Sequence, residues 1–136
     1  MPARECINIT GDADIVTART RAKEMARALG FSRTDQTVIA AAVSEIARNI
    51  VVYAGAGEIR LQAEHDRGRW ALVAVAQDEG PGIADVQQAL TDGYSTAGSL
   101  GVGLPGARRL MDDLEVDSEP GRGTTVTVRK WTDGRG

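Results

Sequence analysis

The chain reads as an α/β protein, a two-layer sandwich whose mixed, mostly antiparallel sheet is covered by helices on one face. Three observations predict this class. Two segments near the start repeat their apolar residues with the 3.6-residue period of an amphipathic helix. Two pairs of alternating segments follow, each pair joined by a turn too short for a crossover helix, so each forms a hairpin. A glycine-dense helical segment separates the pairs, giving the order strand, two helices, two strands, helix, two strands.

The opening strand covers residues 4–10 and alternates around Ile7 and Ile9. Asp12 or Asp14 is placed to cap a first helix carrying Ile15, Ala18, Ala22, Met25, Ala26 and Leu29, and Gly30 stands where a left-handed stop is expected. Ser32 followed by Asp35 resembles a capping box for a second helix, with Ile39, Val43, Ile46 and Ile50 as its apolar stripe. Ala40, Ala42 and Ala47 permit close packing, and Gly55 and Gly57 make the helix fade near Tyr53. Strands at 58–64 and 70–77 flank a polar loop at 65–69, which holds His65. Residues 84–90 read as a short helix, and another runs from Leu104 or Pro105 to about Asp113, with the proline in its first turn. Strands at 114–118 and 124–131 enclose a turn at 119–123, and Trp70 and Trp131 are expected to pack on the sheet. A single domain spans 1–136, with 132–136 as a frayed tail.

Composition narrows the function classes. Hydrophobic residues make up 42% and charged residues 26% of the 136, which suits a globular domain and not a disordered one. The 16 basic and 19 acidic residues give a net charge of −3, without the basic excess of a nucleic-acid binder or a polybasic membrane anchor. Cys6 is the only cysteine and His65 the only histidine, which excludes an intrachain disulfide and a zinc site of ordinary type. No stretch is read as approaching the roughly 20 apolar residues of a membrane span. The expected location is the cytoplasm, with neither nucleic acid nor membrane as a partner.

Four short segments carry chemistry. Glu45 and Asn49 stand four apart on the second helix and so share a face. An asparagine oxygen suits a hard Mg²⁺ ion, and a carboxylate one turn away suits a base for an attacking hydroxyl. A solvated polar face is the plainer reading of that pair taken alone. Asp78 ends an apolar strand and precedes Gly80 and Gly82. It can accept from an exocyclic amine such as adenine's while the glycines let backbone approach a flat ligand, or it can simply form a tight turn. Gly98, Ser99, Leu100, Gly101, Val102, Gly103 and Leu104 lead into a helix whose first N–H groups suit phosphate oxygens. No Lys-Ser or Lys-Thr follows them, so they are not a Walker A loop. Thr124, after Gly121-Arg122-Gly123, can set a hydroxyl beside a bound base, although threonine at a strand start needs no functional reason.

The order of these segments resembles the GHKL ATP-binding superfamily. Ser44-Glu45-Ile46-Ala47-Arg48-Asn49 is similar to its N box, Asp78-Glu79-Gly80-Pro81-Gly82 to its D-x-G-x-G box, Gly101-Val102-Gly103-Leu104 to its G-x-G-L box, and Gly121-Arg122-Gly123-Thr124 to its G-x-G-T box. Within the superfamily the chain resembles the anti-sigma-factor serine kinases, specifically the RsbT-type switch kinases of bacterial stress signalling. Tyr53-Ala54-Gly55, Asp92-Gly93-Tyr94-Ser95-Thr96, Gly103-Leu104-Pro105-Gly106 and Arg109-Leu110-Met111-Asp112 carry that likeness. Pro105-Gly106 departs from the residues usual in histidine kinases, and His65 lies in no helical dimerisation segment.

The resemblance implies a Bergerat-type sandwich that binds ATP and Mg²⁺. It implies Glu45 as base, Asn49 on the metal, and Asp78 on the adenine amine. It also implies Gly80, Gly82, Ile83, the run from Gly98 to Leu104 and Thr124 around the nucleotide, with 84–100 as an ATP lid. The implied function is γ-phosphoryl transfer to a Ser or Thr of a STAS-domain partner, with a PP2C-type phosphatase as a further partner of the switch. The alternatives are an ATP-loaded anti-sigma factor that sequesters a sigma subunit, and an adaptor with a vestigial site.

Overall fold

In the computed structural model the described residues are 4–80 and 103–132. They form β1 (Arg4–Ile9), α1 (Asp12–Ala28), α2 (Arg33–Asn49), a π-helical turn (Ile50–Ala54), β2 (Gly57–Asp66), β3 (Arg69–Asp78), α3 (Gly103–Leu110), β4 (Asp113–Glu119) and β5 (Gly123–Trp131). The sheet order is β1-β2-β3-β5-β4, and every pairing is antiparallel. The expectation of a sheet with some parallel pairing is thus corrected among these strands. The expected short helix at 84–90 and most of the glycine-rich run lie outside the described residues.

Period-two alternation decides which face the helices cover. Ile7 and Ile9, Ile59 and Leu61, Leu72, Ala74 and Ala76, and Val126 and Val128 share one core with Ala18, Ala22 and Met25 of α1 and Ile39, Val43 and Ile46 of α2. Ile9, Ile39, Ile46, Ile59 and Leu61 are each 0% exposed, worth about 2 kcal/mol apiece in apolar burial. On the opposite face Ala71 and Val73 are also buried, opposite Trp131 and Arg129 in the register. Arg129 reaches Glu64 at 3.1 Å and Asp113 at 3.8 Å, and Arg69 stacks over the Trp131 ring at 4.9 Å. Long side chains therefore roof this face where no helix does.

Helix ends follow local chemistry. Asp14, not Asp12, serves the start of α1. Gly11 is the N-cap, and the Asp14 carboxylate accepts from the Thr10 N–H at 2.8 Å and the Thr10 hydroxyl at 3.0 Å. Those two bonds hold its pKa below the ordinary carboxylate range. At the other end Gly30 takes φ +93°, with Phe31 N–H on Ala26 O at 3.0 Å and Gly30 N–H on Arg27 O at 3.1 Å, a Schellman stop. Ser32 caps α2 by accepting the Asp35 N–H at 3.1 Å. Ser32→Ala is expected to cost about 1 kcal/mol, or roughly 4 °C in Tm by calorimetry, with the folded spectrum kept.

Two boundaries differ from expectation. The 65–69 loop is a two-residue turn of Arg67 (φ 54°) and Gly68 (φ 81°), because His65 and Trp70 pair across the strands at 4.6 Å and extend the ladder. The third helix ends at Leu110 instead of near Asp113. There Asp112 N–H bonds Arg129 O at 2.9 Å, its carboxylate accepts the Trp131 N–H at 2.8 Å, and Lys130 reaches Leu110 O at 3.2 Å. Strand β5 thus captures the chain before another helical turn can form.

The run 33–54 is 22 residues long with hydropathy 1.4, so by length and composition it meets the requirement for a membrane span. This corrects the expectation that no stretch approaches the length of a membrane span. Its apolar stripe is used otherwise, since Ile39, Val43, Ile46 and Ile50 are buried against the core.

Candidate active site

The site is built at one end of the sheet. The registers place Ile9, Gly57, Asp78, Thr124 and Ser118 in a single row across all five strands. Asp78 follows Ala76 by two residues and therefore shares its helix-covered face. Its Oδ1 accepts the Gly80 N–H at 2.9 Å, and Oδ2 takes no partner among the described residues.

Three glycines make room for that aspartate. A Cβ on Gly57 would lie 2.5 Å from Gln77 O and 3.1 Å from Asp78 Cβ. One on Gly80 would lie 2.6 Å from the Ala54 Cβ and 3.2 Å from Asp78 Oδ1. One on Gly123, at φ +104°, would overlap the Asp78 carbonyl oxygen and stand 2.8 Å from Glu79 Cα. Backbone thus closes around Asp78 from three directions, a close-packed cradle that holds the aspartate at the sheet end.

The helical half arrives through the π turn. Glu45 and Asn49 are half-buried on α2, about 6 Å apart along its axis. Asn49 makes no side-chain hydrogen bond among the described residues. Directly after it the helix widens, and Gly55 N–H bonds Ile50 O at 2.8 Å, the i to i+5 bond of a π turn. Ile50 then packs toward Gly57 and Ala54 toward Gly80, so the end of α2 is seated against the cradle. Glu45 also lines a groove of about 720 Å³ between α1 and α2, with Arg19, Lys23 and Ser44 among its other walls.

The expected residues divide accordingly. Asp78, Gly80 and Thr124 come together at the sheet end, and Asn49 ends α2 just before the π turn, whose Ile50 and Ala54 meet Gly57 and Gly80. Glu45 lies one turn further back. Gly103 opens α3, and the Leu104 side chain is 4% exposed within the core, so it serves packing. Gly82, Ile83, Gly98, Ser99, Leu100, Gly101 and Val102 lie outside the described residues. Sequence reading missed Gly57, taken only as a helix breaker, and Ser118, which nothing in its neighbourhood marks.

Residues 11–130 match the histidine kinase-like ATPase domain family. The chain is 45% identical over 131 residues to the serine/threonine-protein kinase RsbT of Bacillus subtilis, covering 96% of this chain and 98% of that one. It is 34% identical over 103 residues to the anti-sigma F factor of Halalkalibacterium halodurans, covering 71% of this chain and 69% of that one. Among solved structures, the RsbU and RsbW domains of a Mycobacterium tuberculosis protein superpose with a TM-score of 0.62 at 22% identity, over 96% of this chain and 32% of that longer one. The catalytic domain of histidine kinase ThkA superposes with a TM-score of 0.53 at 13% identity, over 93% and 95%. At such identities these two likenesses speak for the fold, a GHKL-type α/β sandwich. With the sheet-end cradle, the Glu45–Asn49 helix face and a match over nearly its whole length, the chain belongs to the histidine kinase-like ATPase family, among its serine/threonine-protein kinases of the RsbT kind.

Proposed function

We propose that the chain transfers the γ-phosphoryl group of ATP to a Ser or Thr on a STAS-domain regulatory protein, and that this transfer releases it to act on a second partner such as a PP2C-type phosphatase. The observation that carries this reading is the arrangement of Glu45 and Asn49 on one helix that a π turn seats against the Asp78 cradle. ATP use follows from the family. Base recognition falls to Asp78, whose Oδ2 takes no partner among the described residues and suits an amine donor.

Asn49 offers its amide oxygen for Mg²⁺. Among the described residues no three His, Cys, Asp or Glu side chains converge. The ion would therefore draw its remaining ligands from phosphate oxygens and water, the usual habit of Mg²⁺. When bound, the metal neutralises charge that builds on the phosphates during transfer. Glu45 takes the proton of the acceptor hydroxyl as that oxygen attacks phosphorus, and ADP leaves. The cytoplasm is the compartment this role requires.

The test uses the purified chain, labelled ATP, Mg²⁺ and a STAS-domain protein. Label on a Ser or Thr of that protein supports the reading. If ATP binds, no label moves, and a sigma subunit is captured instead, the anti-sigma alternative replaces it. Asp78→Asn is expected to weaken ATP binding about 10- to 100-fold by calorimetry, the loss of one charge-assisted hydrogen bond. Unchanged affinity would remove Asp78 from the site.

A further inference from the structure

The groove beside Glu45 is walled by charge that the site as described leaves unused. Arg19, Lys23 and Arg27 recur every four residues on α1, so they share one face and extend about 12 Å along the helix. All three are exposed, and none makes an ion pair among the described residues. Arg21 lies on another face of the helix and is held by Glu5. Glu24 is the acidic residue of the α1 wall, which therefore stays net positive.

The wall supplied by α2 adds no charge before Glu45. Ala40 and Ala41 are too small to fill the space between the helices. Ser44 donates its hydroxyl to Ala40 O at 2.9 Å and Thr37 to Arg33 O at 3.2 Å, so both protons stay within α2. Gln36 gives its amide to Phe31 O at 2.9 Å. Four residues join the two helices, so they run antiparallel. Arg27 therefore stands by Gln36, and Arg19 stands at the Glu45 end. A positive stripe leads along the groove to the carboxylate proposed as base.

We infer that this groove docks the acceptor protein through an acidic face, with Arg19, Lys23 and Arg27 reading carboxylates beside the acceptor Ser or Thr. The inference rests on the reading of Glu45 as the base, which fixes the end of the groove that the hydroxyl must reach. Charge complementarity selects this occupant. Three unneutralised cations repel a basic segment and attract an acidic one, over about 10 Å at ordinary ionic strength. The stripe is as long as about four residues of extended chain, so the carboxylates it reads lie within that distance of the hydroxyl. Contacts of this kind steer encounter and fix register, and take no part in the chemical step.

The experiment measures transfer from labelled ATP to the STAS-domain protein over a range of acceptor and salt concentrations, with ATP affinity by calorimetry and Tm alongside. Lys23→Glu is expected to raise KM for the acceptor about tenfold, with kcat and ATP affinity within about twofold, and Lys23→Arg to keep the parent KM. The new carboxylate finds Arg19 and Arg27 one turn away on either side, so α1 keeps its stability. Arg19→Ala, a milder change, is expected to raise KM about threefold. Added salt should raise KM in the parent chain and do so far less in Lys23→Glu. Arg67→Glu makes the same charge change in the distant hairpin turn and should keep the parent KM, which separates docking from net charge. Changing the carboxylates that flank the labelled Ser or Thr of the acceptor to amides should raise KM as well, and add little to Lys23→Glu.

An unchanged KM in Lys23→Glu and Arg19→Ala, with the parent chain transferring label, overturns the docking inference and leaves the kinase reading standing. A fall in kcat at constant KM overturns it too, because the cations would then act on the chemical step. A parent-like KM combined with loss of a dimer in sedimentation assigns the groove to a second copy of the chain instead. If the parent chain transfers no label, the reading of Glu45 has failed, and this inference falls with it.

Discussion

Glu45→Ala is expected to slow phosphoryl transfer about 10²- to 10⁴-fold while ATP affinity stays within about threefold. The separation follows from where the residue sits. Asp78 and Thr124 are tied to the sheet end, whereas Glu45 stands on α2 a full turn before Asn49 and two turns before the contact with Gly80. Alanine is the strongest helix former, so the substitution keeps α2 intact. Single-turnover transfer from labelled ATP, paired with calorimetric binding, reads the two quantities independently. Transfer at the parent rate would show that another group takes the hydroxyl proton. Loss of binding and transfer together would make Glu45 part of the nucleotide pocket instead.

The second large effect concerns a residue with no side chain. Gly123→Ala is expected to destabilise the fold by about 3 kcal/mol, roughly 10 °C in Tm, and to weaken ATP binding in the molecules that remain folded. The new methyl would occupy the space of the Asp78 carbonyl oxygen and press on Glu79 Cα, and φ +104° is itself costly for alanine. Gly121→Ala is the control. That glycine also has a positive φ, +82°, but nothing lies within 4 Å of its missing Cβ. Its cost should be only about 1 kcal/mol, with ATP binding unchanged. Equal losses from the two substitutions would mean that turn strain alone, and not the crowding of Asp78, governs this corner.

The helices were legible because their signals are local. The stripe Ile39, Val43, Ile46, Ile50 and the Ser32 cap need only four-residue spacings, and Gly30 marks its own stop. Strand positions were legible to within a residue or two, and so were the two hairpins, but how the hairpins join was not. That β3 pairs with β5, and so sets Asp78 against Thr124, depends on contacts between segments about 50 residues apart in sequence. Period-two patterns carry no address for such partners. The π turn was equally hidden, since Ile50, Val51 and Val52 read as one more helical turn. Ser118 was invisible for a related reason. Its contacts with Gly123 O and Thr124 Oγ1 cross the β4–β5 hairpin, whereas its sequence neighbours Asp117 and Glu119 suggest only an exposed edge.

The widened turn at Ile50–Ala54 has a consequence for how the two halves of the site are indexed to each other. An α-helix advances about 100° per residue, and a π turn inserts one residue into that count. Everything before Asn49 therefore keeps the angular phase of α2, and everything after Gly55 keeps the phase of the sheet, with a vernier step between them. Small rotations of the helix, such as a partner leaning on α2 would cause, can be absorbed at the step. Under the proposed roles, the Glu45 end of the site can thus be retuned for a new client protein while the Asp78 end stays in register.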